Sequence, residues 1–295
     1  QPQKSATPKK KPAPQTPLIA ARAVAHAHAA GIPDDALHLL PGGGEVGAAL
    51  VADGRVDGVA FTGSTRTARA IARSLLAGES RPIVPLIAET GGLNAMIVDS
   101  TALPEQVVAD VITSAFRSAG QRCSALRLLI LQQEVADSIL HMLKGAMDML
   151  VVGDPRDPAT DIGPVIDATA KDRLMDHLDA MGPRVLHRLP VPGNGHFVPP
   201  ALIALDQPED LKEEWFGPLL HVVRWDGADL AGLVGRINAS GYGLTMGLHS
   251  RIAGNAALVE ATSRAGNLYV NRSMIGAVVG SQPFGGAGLS GTGPK

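Results

Sequence analysis

Apolar residues recur along this chain with two different periods. Helical spacing predicts helices over 18–30, 65–76, 104–119, 135–150, 230–239 and 255–265. Pro17 suits the first turn of the first of these, and its alanine-rich composition favours a helix. Runs of Val, Ile and Leu bounded by Gly, Pro or Asp predict strands over 36–40, 58–61, 83–88, 95–98, 126–131, 201–205, 219–225, 245–249 and 267–270. Strand and helix alternate about every 10 to 15 residues, which implies βαβ units and a parallel sheet, an α/β fold. Residues 1–10 lack apolar periodicity and read as a disordered tail. The Pro- and Gly-interrupted stretch 184–195 reads as a surface loop, a second block opens at Asn94, and no internal repeat is visible.

Composition narrows the class. The chain has 295 residues, ample for a buried core, and 26 Lys+Arg stand against 28 Asp+Glu. So balanced a charge gives no field for nucleic acid or an anionic membrane. Although 45% of residues are hydrophobic, no apolar run approaches the roughly 18 to 20 residues of a membrane span. No export signal and a single cysteine make a reducing cytoplasm the expected location.

That cysteine is Cys123, in Gly120-Gln121-Arg122-Cys123-Ser124 between a predicted helix and a predicted strand. It has no internal disulfide partner, and a glycine-marked junction keeps a side chain accessible, so it is a candidate nucleophile; a small buried hydrophobe is the alternative. Glu89 ends an apolar run against Gly91 and Gly92. A carboxylate so placed loses hydration and is suited to proton transfer near neutral pH, although a solvated strand-end glutamate would look the same. Thr62, Gly63 and Ser64 join a predicted strand to a predicted helix, where N–H groups and hydroxyls form an anion site or a simple N-cap. Gly42-Gly43-Gly44 lacks GxGxxG spacing and reads as a loop. His26 and His28, two apart, point in different directions, and no cluster has metal-ligand spacing, so no metal is expected.

Six segments taken together resemble the aldehyde dehydrogenase superfamily. They are Lys11-Pro12-Ala13-Pro14-Gln15-Thr16-Pro17, Phe61-Thr62-Gly63-Ser64-Thr65, Glu89-Thr90-Gly91-Gly92-Leu93-Asn94-Ala95-Met96-Ile97-Val98-Asp99, Gly120-Gln121-Arg122-Cys123-Ser124-Ala125, Glu214-Trp215-Phe216-Gly217-Pro218 and Pro283-Phe284-Gly285-Gly286. They occur in the family's order from about Lys11 onward, and most resemble the glutamate-semialdehyde (pyrroline-5-carboxylate) dehydrogenase module of the bifunctional proline-utilisation proteins.

The resemblance implies a partial Rossmann-like cofactor domain over 11–91, an α/β catalytic domain over 92–283 and a C-terminal segment over 284–295. It implies Cys123 as nucleophile, its backbone N–H as an oxyanion donor, and Glu89 as the base for thioester hydrolysis. NAD would be held by Lys11 at the adenosine ribose, by Thr62, Gly63 and Ser64 at the pyrophosphate, and by Glu214 and Phe216 at the nicotinamide end. Ser124, Gly276 and Ala277 would hold the substrate α-carboxylate, and Phe284 would pack on its aliphatic chain. Without the family, Ile275–Gly280 would be only a turn. The implied partners are a small aldehyde, a proline dehydrogenase domain on the same parent chain, and further copies in a homo-oligomer.

The sequence departs from the family in two ways. Pro14 stands where a ribose-binding glutamate is usual, and the strand and oxyanion-hole asparagine that normally precede Lys11 are not matched by residues 1–10. Truncation at both ends is therefore expected, with weak NAD binding by this chain alone. A non-catalytic remnant, or a dehydrogenase for another aldehyde, is the alternative.

Overall fold

The computed structural model describes residues 8–77, 82–277 and 280–293. It divides into two compact units between Ala88 and Glu89. Residues 1–7 of the expected tail, and Val278 and Val279 of the glycine-rich loop, lie outside the described residues.

The first unit carries β1 (Lys9–Lys10), α1 (Pro17–Ala29), β2 (His38–Leu39), α2 (Gly44–Ala52), β3 (Val59–Thr62), α3 (Thr65–Leu76) and most of β4 (Leu86–Glu89). β1 pairs in parallel with β2, and β3 neighbours β4. The expected tail therefore ends early, because Lys9 and Lys10 hydrogen-bond beside His38 and Leu39. Gly42-Gly43-Gly44 is only partly loop: Gly44 opens α2, a helix that the sequence did not announce because apolar residues lie all around it.

The second unit is built on a seven-stranded sheet. Its elements are β5 (Ala95–Val98), α4 (Pro104–Phe116), β6 (Leu128–Gln132), α5 (Gln133–Asp148), α6 (Ala168–Ala180), β7 (Val185–Arg188), β8 (Ala201–Ala204), β9 (Leu219–Trp225), α7 (Leu230–Asn238), β10 (Tyr242–Gly243), β11 (Thr245–His249), α8 (Ala253–Thr262), β12 (Asn267–Val270) and β13 (Ala287–Gly288). The strand order is β12-β11-β5-β6-β9-β8-β7, parallel except for β7. β10 and β13 form a separate antiparallel pair.

Both faces of this sheet are buried, and successive side chains alternate between them. Met96, Val98, Leu129 and Leu131 enter the core formed with α4, α5 and α6, whereas Ala95, Ile97, Leu128 and Ile130 enter the core formed with α7 and α8. Such strands read as unbroken apolar runs, which is why they were legible. α6 was not: Asp167 caps it by accepting from the Ala170 N–H at 2.9 Å, and it buries few apolar residues, among them Leu174 and Leu178. Part of the expected loop 184–195 is the edge strand β7, paired to β8 through a register shift. Among the described residues no helix is long and apolar enough to cross a membrane.

Candidate active site

α4 stops at Phe116 rather than running to Ala119. Ser118, Ala119 and Gly120 take φ of 56°, 52° and 66°, three left-handed residues in succession. A non-glycine residue in that region costs about 1 to 3 kcal/mol and persists only where its surroundings enforce it. Gly120 is required sterically, because a Cβ there would lie 2.1 Å from the Gly217 carbonyl oxygen. The kink brings Gln121, Arg122 and Cys123 back across the amino end of the sheet, and the chain re-enters with Leu126 N–H donating to the Ser114 carbonyl at 3.0 Å.

Cys123 is a free, half-buried thiol. Asn94, just ahead of β5, holds its loop by donating Nδ2 to the carbonyls of Cys123 at 2.6 Å and Ala125 at 2.9 Å, and accepts at Oδ1 from Thr245 N–H at 3.2 Å. Burial raises the thiol pKa, as do the negative charges of Glu214 and, more weakly, Glu89; the backbone N–H groups of Ser124 and Cys123 act in the opposite sense. The sulfur thus sits within the field of two carboxylates.

Glu89 ends β4 and accepts at Oε2 from the Gly286 N–H at 3.0 Å. The chain beyond it is pinned by Thr90, whose N–H donates to the Ser290 carbonyl at 2.9 Å and whose hydroxyl donates to the Leu289 carbonyl at 2.6 Å.

Glu214 is not a surface charge, since its side chain is only 18% exposed. It lies against Gly91, where a Cβ would come within 1.7 Å of Oε2, so a larger residue there would displace the Glu214 carboxylate. Burial raises its pKa, while Arg127 and the Gly92 N–H oppose the rise. Phe216 is 40% exposed and so is not core; the Arg127 guanidinium lies 5.3 Å from its ring centre.

Arg127 was hidden inside an apolar strand run, and that is the signal that could have found it. Its side chain is 1% exposed, and it donates to the carbonyls of Gly217 at 3.1 Å and Arg122 at 3.0 Å and to Glu214 Oε1 at 3.5 Å. One cation thereby ties the cysteine loop to the Glu214–Phe216 loop. Behind it, His177 stacks on Trp215 with ring centres 3.8 Å apart, and Nε2 of His177 meets Nε2 of His221 at 2.9 Å.

Ser124 is buried, and its carbonyl accepts from the Thr245 hydroxyl at 3.4 Å. Gly276, at φ 90°, and Ala277 are exposed, and Phe284 is half-buried. Lys11, Thr62, Gly63 and Ser64 belong to the first unit. There Ser64 caps α3, accepting from the Thr67 N–H at 3.2 Å, and Lys11 Nζ donates to the Pro12 carbonyl at 3.0 Å.

A glycine-kinked cysteine loop on a parallel sheet, flanked by two glutamates, defines a class: the aldehyde dehydrogenase family matches residues 9–295, and this chain belongs to it. Among its relatives, the bifunctional protein PutA of Klebsiella aerogenes is 58% identical over 97% of this chain, and the 1-pyrroline-5-carboxylate dehydrogenase of a Geobacillus species is 35% identical over 97%. The chain spans 23% of the first relative's length and 56% of the second's. A crystal structure of Bradyrhizobium japonicum PutA matches with TM-score 0.94 at 56% identity, over 97% of this chain and 30% of that one. A 1-pyrroline-5-carboxylate dehydrogenase from Thermus with bound NAD matches with TM-score 0.89 at 33% identity, over 96% of this chain and 56% of that one.

Proposed function

We propose that this chain carries the aldehyde-oxidising chemistry of a PutA-type protein: oxidation of L-glutamate γ-semialdehyde to L-glutamate, with NAD as hydride acceptor. The observation that carries the reading is the placement of the only thiol, Cys123, on a loop held by Asn94 and Arg127 within the field of Glu89 and Glu214. The likeness to a relative named 1-pyrroline-5-carboxylate dehydrogenase, and the higher identity to bifunctional PutA proteins, support it.

The residues of the first unit fit a dinucleotide phosphate. The first turn of a helix presents N–H groups without intrahelical acceptors, and α3 begins directly after Thr62-Gly63-Ser64. At Gly63 a Cβ would stand 2.5 Å from the Phe61 ring, so the turn stays bare of a side chain on that side. In this reading Thr62, Gly63 and Ser64 hold the pyrophosphate, Lys11 the adenosine ribose, and Glu214 and Phe216 the nicotinamide end. The nicotinamide, when bound, supplies a hydride acceptor.

The Cys123 thiol gives up its proton to solvent, and Sγ bonds to the aldehyde carbon while the carbonyl electron pair moves to oxygen. The Cys123 backbone N–H donates to that oxyanion. After oxidation at this carbon, Glu89 takes a proton from water; the hydroxide adds to the thioester, the C–S bond breaks, and the Cys123 thiolate leaves. Ser124, Gly276 and Ala277 hold the α-carboxylate, and Phe284 packs on the methylenes. A proline dehydrogenase domain on the same parent chain would supply the substrate as pyrroline-5-carboxylate.

The test is turnover of the 295-residue chain with pyrroline-5-carboxylate and NAD, followed as NADH absorbance. Activity that Cys123→Ala abolishes is expected; equal turnover in wild type and Cys123→Ala would refute the reading.

A further inference from the structure

Three polar side chains recur on α4 at four-residue spacing: Gln106, Asp110 and Ser114. Residues four apart share one face of a helix. Each of the three grips the loop that follows β12. Gln106 Nε2 donates to the Asn271 carbonyl at 2.7 Å, the Ser273 N–H donates to the Asp110 carboxylate, and the Met274 N–H donates to Ser114 Oγ at 2.9 Å. The Ser114 hydroxyl in turn donates to the Asp110 carbonyl at 2.6 Å. The other Asp110 oxygen lies 3.5 Å from Nε2 of the buried His249.

Asn271 and Ser273, two apart, meet Gln106 and Asp110, four apart, and Met274 follows directly onto Ser114. The start of the loop is fixed independently, since Asn271, at φ 52°, exchanges two hydrogen bonds with the Ser250 backbone at 2.9 and 2.8 Å. Met274 is fully buried. Two residues further on the loop emerges at Gly276, around which a Cβ would meet no described residue within 4 Å. The base of the loop is therefore clamped, while Gly276 and Ala277 are exposed.

We propose that Gln106, Asp110 and Ser114 form a positioning stripe that sets where the backbone N–H groups of Gly276 and Ala277 point, and so determines selectivity for an aldehyde bearing an α-carboxylate. This rests on the reading of Gly276–Ala277 as the carboxylate seat. The three residues act through the loop and do not touch the substrate.

The full chain is tested by the protection of Cys123 against iodoacetamide, which needs neither NAD nor turnover. L-Glutamate is compared with 4-aminobutyrate, the same molecule without the α-carboxylate. The L-glutamate concentration giving half-protection should rise about threefold to tenfold in Ser114→Ala, the value of one neutral hydrogen bond, and by about tenfold or more in Asp110→Ala, which loses a charged acceptor. The exposed Gln106→Ala, which leaves the core untouched, should shift it in the same direction, and Asp110→Asn, which keeps an acceptor, should restore it. Protection by 4-aminobutyrate should not change in any of them. If wild type does not prefer L-glutamate over 4-aminobutyrate, the carboxylate-seat reading fails and the stripe with it. If wild type prefers L-glutamate and all variants keep that preference, or if both ligands weaken equally, the seat stands and the stripe proposal is overturned.

Discussion

The Glu214 carboxylate lies 3.5 Å from the Arg127 guanidinium, and both side chains are largely withdrawn from water. Arg127 enters from the first residues before β6 and Glu214 from the loop before β9, so the pair bridges two neighbouring strands at their amino ends. Because Arg127 also donates to Arg122 and Gly217, the position of the cysteine loop and that of the glutamate loop are set by the same buried cation.

Removing one member of a buried ion pair leaves the other charge desolvated, at a cost of about 3 to 5 kcal/mol. Arg127→Met should therefore lower the unfolding free energy by about that amount in urea titration. Arg127→Met combined with Glu214→Gln should recover part of it. A single-variant loss below about 1 kcal/mol would mean that the pair behaves like an exposed one.

The thiol titration should respond to its carboxylates. Burial, and after it two anions, hold the Cys123 pKa above the ordinary thiol value, so the alkylation rate rises with pH through an inflection above that value. Glu214→Gln removes the stronger anion, so the inflection should move to lower pH; Glu89→Gln should move it less. Stopped-flow alkylation between pH 7 and 10 reads both. An inflection that stays put in Glu214→Gln would show that the charge does not reach the sulfur.

His177 and His221 bear on acid stability. The Arg127 carbonyl accepts only, so Nδ1 of His221, 3.3 Å away, carries the proton, and its Nε2 accepts from Nε2–H of His177. Protonating His221 would set two N–H donors face to face. Burial, the His177 ring and the Arg127 charge hold the His221 pKa down to about 3 in the fold, against 6.5 in the unfolded chain. Stability from this group is complete above pH 6.5. It declines as pH falls from 6.5 towards 3, because there the unfolded chain binds a proton that the folded one does not, at about 1.4 kcal/mol per pH unit. His221→Gln should flatten the stability–pH curve by that slope over the same window, as measured by urea midpoints. An unchanged slope would show that His221 titrates normally in the fold.

The strands buried on both faces were legible because Ala95–Val98 and Leu219–Trp225 are nearly unbroken apolar runs with punctuated ends, and both appear with the expected bounds. α2 and α6 were not legible: one is apolar on all sides, and the other buries only a few apolar residues on a charged helix. Cys123 and the two glutamates stood out through their neighbours in sequence. Arg127 and Asn94 did not, because most of what matters about them is the set of carbonyls and carboxylates that the fold brings to them from 29 to 90 residues away. The left-handed turn at Ser118 and Ala119 was equally invisible, since neither residue type favours positive φ and only the surrounding packing imposes it.

Covalent chemistry at Cys123 with Glu89 as the hydrolytic base is tested most directly by intact-protein mass spectrometry. The Glu89→Gln chain is mixed with NAD and pyrroline-5-carboxylate, quenched in acid and mapped by peptide. The account predicts a single glutamyl thioester on the Cys123 peptide that outlasts the wild-type adduct by at least about 100-fold, the usual contribution of a general base. An adduct elsewhere, or one on Cys123 that hydrolyses as fast as in wild type, would contradict it.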